Sequence, residues 1–176
     1  MIFLLGFMGA GKSYWGRRLA QYGGLPFYDL DSSLAAVSGL SVAQYFDRYG
    51  ELAFRRLERQ VLQESVALPP GIMATGGGTP CFFDNMAWMN AQGETVYLEV
   101  PTEVLAGRLR SEIAQRPLLA GVAIESLSAK VEALLKDREP WYAQARHLVP
   151  YTHDSSKFWE QLTAFFEMVK QRGNIH

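Results

Sequence analysis

A chain of 176 residues is long enough for one α/β domain with a full hydrophobic core, and its net charge of −1 gives no basic field for nucleic acid. Hydrophobic residues make up 48% of the chain, yet no uninterrupted apolar run approaches the length of a membrane span. The single cysteine, Cys81, excludes an internal disulfide framework, so we expect a cytoplasmic protein with neither a nucleic-acid nor a membrane partner.

The first predicted element is a buried strand over 2–6, which runs into a G-x-x-x-x-G-K-S motif at Gly6–Ser13. A strand that begins at residue 2 leaves no room for a signal peptide. The residues after the motif suit a helix, so the motif has the strand–loop–helix context of a phosphate-binding P-loop. Backbone N–H groups of such a loop turn toward phosphate oxygens, and the helix dipole adds positive potential. The alternative, a chance glycine-rich turn, is disfavoured by this context.

The motif predicts a bound nucleotide together with Mg²⁺. The Lys12 ammonium would reach the β- and γ-phosphates, and the Ser13 hydroxyl would ligate the metal ion. The motif alone does not identify the group that receives the phosphate. The nucleotide-binding residues predicted in this segment are Gly9, Ala10, Gly11, Lys12, Ser13 and Tyr14.

Two carboxylates follow the second predicted strand, over 26–29, where ligands bind in open α/β sheets. Strand alternation puts Asp29 and Asp31 on the same side if the extended geometry continues through both. Asp29 would then join the Mg²⁺ shell, and Asp31 would accept a hydrogen bond from a substrate hydroxyl. The alternative for Asp31 is that it only caps the next helix.

Two helices are predicted next, over 41–49 and 51–68, with Gly50 between them. Glu58 falls inside the apolar face of the second helix, and Arg55 lies one turn before it. Charges there are costly unless they are paired or functional. Either the two side chains form a structural ion pair, or Glu58 fixes Arg55 so that its guanidinium group can hold a substrate carboxylate. Arg56 and Arg59 are predicted to be solvated.

A third buried strand is predicted over 71–75, and it ends in three consecutive glycines, 76–78. Such a turn either lets the backbone approach a ligand closely or is merely flexible. A helix over 83–92, a strand over 95–100 and a helix capped by Thr102 and ending at Arg110 follow.

The segment 111–122 is polar at its start and is then broken by proline and glycine. It carries Arg116, and it is either a lid that closes on the phosphates or an ordinary surface loop. A helix is predicted over 126–135, the segment Arg138–Tyr142 is expected to precede a further short helix, and an amphipathic helix over 158–169 closes the chain. An edge strand is predicted over 147–151, because Pro150 cannot donate to a neighbouring strand.

Strands and helices therefore alternate along the whole chain. Because the predicted strands are short apolar runs, we expect a mostly parallel sheet of five strands, with helices on both faces. No linker divides the chain, so residues 1–176 are predicted to form one domain, with an acceptor region at about 30–60.

In their order and spacing, six segments resemble the shikimate kinase family. They are GFMGAGKS, FYDLD, GELAFRRLE, GGG, RPLL and REPWY, and the resemblance covers about residues 2–151. It implies a P-loop NTPase of the nucleoside-monophosphate-kinase type, with a parallel sheet in the order 2-3-1-4-5. It also implies ATP-dependent phosphorylation of the 3-hydroxyl of shikimate, in aromatic amino-acid biosynthesis, by a monomer.

The resemblance also implies residue roles. Arg116 is similar to the lid arginine that reaches the ATP phosphates, Arg108 to the arginine that lies against the adenine, and the segment near Ser155 falls where the adenine site is completed. Ser13 and Asp29 match the magnesium shell. Shikimate binding is implied for Asp31, Arg55, Gly77 and Arg138, and catalytic roles for Lys12, Asp31 and Arg116.

Elementary chemistry agrees with these implied roles. A small hydroxy-acid calls for bidentate arginines at its carboxylate and a carboxylate acceptor at its hydroxyls. Phosphoryl transfer needs positioning and charge neutralisation, which Lys12, Mg²⁺ and Arg116 would provide, while Asp31 orients the attacking oxygen and takes its proton.

The chain departs from the family pattern in two places. Tyr14 stands where most family P-loops carry a small hydroxyl residue, which predicts altered nucleotide affinity. The glycine turn continues as Thr79-Pro80-Cys81, which would reshape the pocket rim. Two other functions stay open from sequence: a kinase for another acceptor such as gluconate or a nucleoside monophosphate, and a protein that binds ATP without transferring phosphate.

Overall fold

A parallel β-sheet forms the centre of the computed structural model, which describes residues 1–113 and 116–173. Within these residues the sheet has five strands in the order β2-β3-β1-β4-β5, and every neighbouring pair is parallel. This order confirms the predicted fold class. The strands are β1 (Ile2–Leu5), β2 (Phe27–Asp29), β3 (Ile72–Ala74), β4 (Glu94–Glu99) and β5 (His147–Pro150).

Helices cover both faces of the sheet. Shorter 3₁₀ turns occupy Ser65–Ala67, Thr79–Cys81, Pro117–Leu119 and Ile124–Ser126. The α-helices are α1 (Lys12–Gly23), α2 (Leu30–Ser38), α3 (Val42–Glu64), α4 (Asn85–Gln92), α5 (Thr102–Leu109), α6 (Leu127–Tyr142) and α7 (Ser155–Gln171).

The central strand β1 supplies apolar side chains to two separate cores. Ile2 and Leu4 belong to the core that α1, α5, α6 and α7 cover, whereas Phe3 and Leu5 belong to the one under α2, α3 and α4. Successive side chains of a strand point to opposite faces, so a strand buried on both faces must be apolar throughout. The parallel arrangement then brings the loops after β1, β2 and β3 to one edge of the sheet, where the site lies.

The structure joins the two helices predicted over 41–68 into α3, but Gly50 has φ 77° and ψ 170°, so the helix is kinked there. The predicted break at Gly50 is therefore confirmed. The predicted C-terminal end is wrong by one turn, because the chain tightens into a 3₁₀ turn after Glu64. A capping box formed by Ser41 and Gln44 fixes the start of α3.

Three other helix boundaries differ from the predictions. Thr102 is the first helical residue of α5 and caps nothing, since Pro101 takes the capping position. The helix predicted from residue 83 begins at Asn85, because Phe83 adopts φ 54°. The helix predicted to end at residue 135 continues to Tyr142, and no separate helix follows before β5 in the described residues.

The continuation of α6 has a simple cause. Leu127, Val131, Arg138 and Tyr142 are all buried, and their spacing keeps them on one helical face past the predicted end. Pro140 lies in the last turn, so the hydrogen bond that it cannot donate is one of the final ones of the helix.

Candidate functional site: a phosphate cradle beside an acceptor pocket

The P-loop lies between β1 and α1. Gly11 occupies the position before the helix with φ 91°, a left-handed conformation that favours glycine. The Lys12 ammonium is buried and donates to the carbonyl oxygens of Gly6, at 2.8 Å, and Phe7, at 3.0 Å. Burial lowers the pKa of Lys12 to about 8, against the opposing effect of the nearby Asp31 carboxylate. The ammonium is therefore held within the loop, where it can face phosphate oxygens.

A cleft opens along this loop. Arg108 and Tyr14 stand at its wall, and Tyr14 is 60% exposed. Ala10 differs from the other predicted nucleotide-binding residues, because its side chain is buried in the core and only its backbone is left to meet a ligand. The predicted residues whose atoms line the cleft are Gly9, Gly11, Lys12, Ser13, Tyr14, Asp29, Asp31, Gly77, Arg108 and Arg116.

Ser13 and Asp29 are in direct contact on the cleft wall. The Ser13 hydroxyl donates to Oδ2 of Asp29 at 2.7 Å, and Oδ1 of Asp29 accepts from the backbone N–H of Ser32 at 3.2 Å. Asp29 is therefore the N-cap of α2, and the alternative that Asp31 caps this helix is wrong. A hydroxyl and a carboxylate side by side are hard oxygen donors of the kind that Mg²⁺ prefers, so these two residues fit a metal shared with phosphates.

Asp31 does not reach the cleft by strand alternation, as predicted, because α2 begins at Leu30 and ends the extended geometry. It lies in the first helical turn and is half-buried. Burial and the neighbouring Asp29 raise the pKa of the Asp31 carboxyl, while Lys12 and two arginines oppose this shift. A raised pKa brings a carboxylate nearer to the range in which it can accept and hold a proton.

A second cavity, called the acceptor pocket below, adjoins the cleft. Five residues border both spaces, so a molecule in one can touch a molecule in the other. The shared residues are Met8, Asp31, Gly76, Gly77 and Arg116, and the smaller cavity is completed by Val42, Phe46, Phe54, Arg55, Glu58, Gly78, Pro117, Leu118 and Arg138.

The Arg55 guanidinium is held on two edges in this acceptor pocket. Its Nη1 donates to Glu58 at 2.8 Å, while Nε and Nη2 donate to Glu51 at 3.4 and 3.2 Å. Its Cζ lies 4.2 Å from the centre of the Phe82 ring. Both Arg55 and Glu58 are buried, so they form a buried ion pair and not a solvent-exposed salt bridge. Arg59, which was predicted to be solvated, instead pairs with Asp84 at 2.8 Å.

Glu58 is also fixed from the other side. Its Oε1 accepts a hydrogen bond from the Thr79 hydroxyl at 2.7 Å, so the unusual residue after the glycine turn orients the carboxylate that orients Arg55. Burial raises the pKa of Glu58, while Arg55 and the Thr79 hydroxyl favour its charged form. The second alternative for this pair, in which Glu58 positions Arg55, therefore has a geometric basis.

The glycine turn separates the two buried arginines. A side chain at Gly78 would come within 2.5–2.8 Å of the Arg55 guanidinium, and one at Gly77 would come within 3.0 Å of the Met8 nitrogen. The Arg138 guanidinium lies next to Gly77 instead. The Arg138 residue is 93% buried, and its Nη1 has no hydrogen-bond partner in the described part of the chain. A buried guanidinium nitrogen without an acceptor is costly unless a ligand supplies one.

Two further arginines lie at the mouth of the site. Arg116 borders both cavities and pairs with Glu112, with Nε and Nη2 at 3.1 and 2.5 Å from its carboxylate. Residues 114 and 115 of the predicted lid lie outside the described residues. Arg108 donates to the carbonyl of Gly9 at 2.8 Å and lies 5.4 Å from the centre of the Tyr151 ring. Ser155 is the first residue of α7.

Several residues of the site were not predicted from sequence. Glu51 precedes Arg55 by four residues, a spacing typical of helical ion pairs, and could have been found from that signal. The contacts of Thr79, Phe82 and Tyr142 depend on how separate elements pack together, and no local pattern reports them.

A parallel sheet in this order, with a P-loop after β1 and an acceptor pocket beside it, defines the class of P-loop kinases. A family model described as shikimate kinase matches residues 8–170. The shikimate kinase of Phocaeicola vulgatus is 41% identical over 173 residues, 98% of each chain. The chain belongs to the shikimate kinase family, and it is an ATP-using kinase.

Two solved structures are similar over nearly the whole chain. The shikimate kinase of Bacteroides thetaiotaomicron has a TM-score of 0.87 at 37% identity, covering 96% of this chain and 97% of that one. Shikimate kinase from Acinetobacter baumannii, in complex with shikimate, has a TM-score of 0.86 at 30% identity, with 97% and 93% covered. In the described ranges of the present chain, no helix combines the length and apolar character needed to cross a membrane.

Proposed function

We propose that the chain transfers the γ-phosphoryl group of ATP to the 3-hydroxyl of shikimate, giving shikimate 3-phosphate and ADP. One observation carries the proposal: two buried arginines and Asp31 surround a pocket that opens directly into the P-loop cleft. Shikimate presents one carboxylate and neighbouring hydroxyls, and this pocket offers guanidinium groups for the first and a carboxylate for the second.

In this proposal, Arg55 and Arg138 bind the substrate carboxylate. Arg138 has a free Nη1 among the described residues, and Arg55 is already oriented by Glu51 and Glu58. Because their own partners or packing hold both side chains, little conformational entropy is lost when the acceptor binds. The backbone of Gly77 lies between them and meets the substrate ring directly.

Asp31 acts on the reacting hydroxyl. It accepts the hydroxyl proton as the substrate oxygen bonds to the γ-phosphorus, while the bond from that phosphorus to the ADP oxygen breaks. Lys12 and Arg116, which both line the cleft, neutralise the negative charge on the transferring group. Arg116 must exchange its bond to Glu112 for phosphate oxygens to do so.

Ser13 and Asp29 would hold Mg²⁺, which would offset the negative charge of the phosphate groups. Arg108 would lie against the adenine, and the backbone N–H of Tyr14 would face the α-phosphate in place of a small side-chain hydroxyl.

We also propose that residues 1–176 act as one cytoplasmic kinase domain and as a monomer, with the acceptor region at about 30–60 and the lid at about 111–122. Light scattering tests the monomer, because a monomer should give a molar mass of 19.7 kDa, the mass of one chain.

The test of this function is a direct product assay. Purified protein is incubated with Mg-ATP and shikimate, and the product is identified by mass, with gluconate and nucleoside monophosphates as competing acceptors. A shikimate phosphate formed in preference to the other products supports the proposal. Turnover only on another acceptor would overturn it, as would calorimetric ATP binding without turnover on any of them.

The first prediction concerns the two-point contact that the Arg138 guanidinium makes with the substrate carboxylate in this proposal. Arg138→Lys should weaken shikimate affinity about 10–100-fold, because a point charge replaces a bidentate contact worth about 1.5–3 kcal/mol. The KM for ATP should change much less. Steady-state kinetics in both substrates measure this, with Arg56→Lys, an exposed neighbour of Arg55, as the matched control. Equal losses for shikimate and ATP would contradict the assignment.

A second prediction tests Glu58 as the residue that positions Arg55. Glu58→Gln should destabilise the fold by about 3 kcal/mol, since it removes the charge from a buried ion pair, and should raise the KM for shikimate about 10-fold. Urea unfolding and shikimate kinetics give the two numbers. Glu64→Gln, on the exposed face of the same helix, should change neither. A stability loss with an unchanged shikimate KM would reduce Glu58 to a structural role.

A further inference from the structure

Tyr142 is a fully buried side chain at the end of α6 that none of the steps above uses. Its hydroxyl donates a hydrogen bond to the carbonyl oxygen of Gly77, the middle residue of the glycine turn. Its ring stacks on that of Tyr97 in β4, with the centroids 5.0 Å apart and the planes 27° from parallel. The hydroxyl is therefore held by its ring packing at one point on the turn.

The Gly77 carbonyl accepts no other hydrogen bond from the described residues. The Thr79 N–H closes the turn by donating to the Gly76 carbonyl at 3.2 Å, while the Tyr142 hydroxyl fixes the carbonyl of the central peptide, between Gly77 and Gly78. A Cβ on Gly77 would lie 3.0 Å from the Met8 nitrogen and 3.4 Å from Nη1 of Arg138, so both groups are close to this residue. A small rotation there changes both the floor of the acceptor pocket and the gap in front of Arg138.

Tyr142 also follows Arg138 by four residues, so both side chains lie on the same face of α6. The guanidinium of Arg138 and the phenol of Tyr142 are close enough to interact, and this interaction favours the ionised phenol, whereas burial raises the pKa of Tyr142 far more strongly. The hydroxyl is consequently protonated at neutral pH and remains a donor. One helical turn therefore presents a donor to the Gly77 carbonyl and a guanidinium to the pocket.

We propose that Tyr142 is a positioning residue for the acceptor: its hydroxyl fixes the Gly77 peptide and thereby sets the distance between the glycine turn and Arg138. This rests on the proposed function, because the acceptor is taken to bind between these groups. The residue acts through Gly77, which borders both spaces, and through Arg138, which lines the acceptor pocket and is not among the residues that line the nucleotide cleft. Its removal should therefore weaken shikimate binding much more than ATP binding.

The experiment compares two substitutions that each remove one phenolic oxygen. Tyr142→Phe deletes the hydrogen bond to Gly77, whereas Tyr97→Phe deletes a hydroxyl of the same stacked pair that makes no hydrogen bond within the described residues. The wild-type protein is first shown to phosphorylate shikimate. We expect Tyr142→Phe to raise the KM for shikimate about 3–10-fold, the effect of one lost hydrogen bond, and to leave the KM for ATP within about twofold. Tyr97→Phe should change neither constant by more than about twofold.

A double-mutant cycle adds a measurement that still tests the proposal if Tyr142→Phe lowers the stability of the protein. If Tyr142 acts through Arg138, its substitution should cost less in an Arg138→Lys background than in the wild type. Additive effects on the shikimate KM would overturn the proposal, as would equal losses for shikimate and ATP or an unchanged shikimate KM in Tyr142→Phe. Failure of the wild type to use shikimate would instead refute the proposed function, so the two failures are distinguishable.

Discussion

Replacing Lys12 by alanine should lower kcat by about 10³-fold or more, because the variant loses a preorganised positive charge aimed at the transferring phosphoryl group. The carbonyl oxygens of Gly6 and Phe7 hold the ammonium in position within the loop. It therefore costs little reorganisation when charge develops on the phosphate oxygens. Rapid-quench or coupled ADP-release kinetics at saturating shikimate measure the loss.

The fold should survive this substitution, because the loop keeps its backbone hydrogen bonds: the Ala10 N–H donates to the Phe7 carbonyl at 3.1 Å, and the Trp15 N–H donates to the Gly11 carbonyl at 2.9 Å. Far-UV circular dichroism and the thermal midpoint check this, with Lys130→Ala on the exposed face of α6 as the control that keeps full activity. Turnover within tenfold of the wild type in a folded Lys12→Ala protein would remove Lys12 from the mechanism.

Asp31→Asn should reduce kcat by about 10²–10⁴-fold, the usual contribution of a general base, and should change the KM for shikimate much less. The asparagine oxygen can still accept a hydrogen bond from the substrate hydroxyl, but the amide cannot take its proton. Because Asp31 borders both cavities, it stands where the attacking oxygen would meet the γ-phosphate. Steady-state kinetics in both substrates separate the two constants.

Asp47→Asn, an exposed carboxylate on α3, serves as the matched control and should be silent. A loss confined to KM, with kcat preserved, would mean that Asp31 only binds the hydroxyl and that the proton leaves by another route. An undiminished kcat/KM for shikimate would contradict any role for the residue.

The parallel sheet was predictable because each strand is a short apolar run bounded by turn residues, and because the P-loop marks the first strand-to-helix junction. Helix ends were less predictable. Pro140 suggests a break, yet α6 continues past it because the buried face of that helix continues to Tyr142. Thr102 suggests a cap, yet the helix starts one residue too early for it. Burial of a helical face therefore outweighs the helix-breaking tendency of a proline when that proline, as here, lies in the last turn of the helix.

The residues of the site could be predicted where a local sequence pattern marks them. Arg55 and Glu58 stand out because charges on the apolar face of a helix need a reason, and the structure pairs them. The hydrogen bond from Thr79 to Glu58 and that from Tyr142 to Gly77 join segments far apart in sequence. Such contacts depend on how α3 and α6 pack around the turn after β3, which periodicity in a single sequence does not contain.

The kink at Gly50 gives α3 two directions. Val42 and Phe46 from the limb before it and Arg55 from the limb after it all line the acceptor pocket, with the Arg55 Cζ 5.7 Å from the centre of the Phe46 ring. A Cβ at Gly50 would meet nothing within 4 Å, so only its φ of 77° restricts the choice of residue there. Because residues of both limbs line the pocket, a residue at position 50 that changes this angle would shift one limb relative to the other and alter the pocket without replacing a binding side chain.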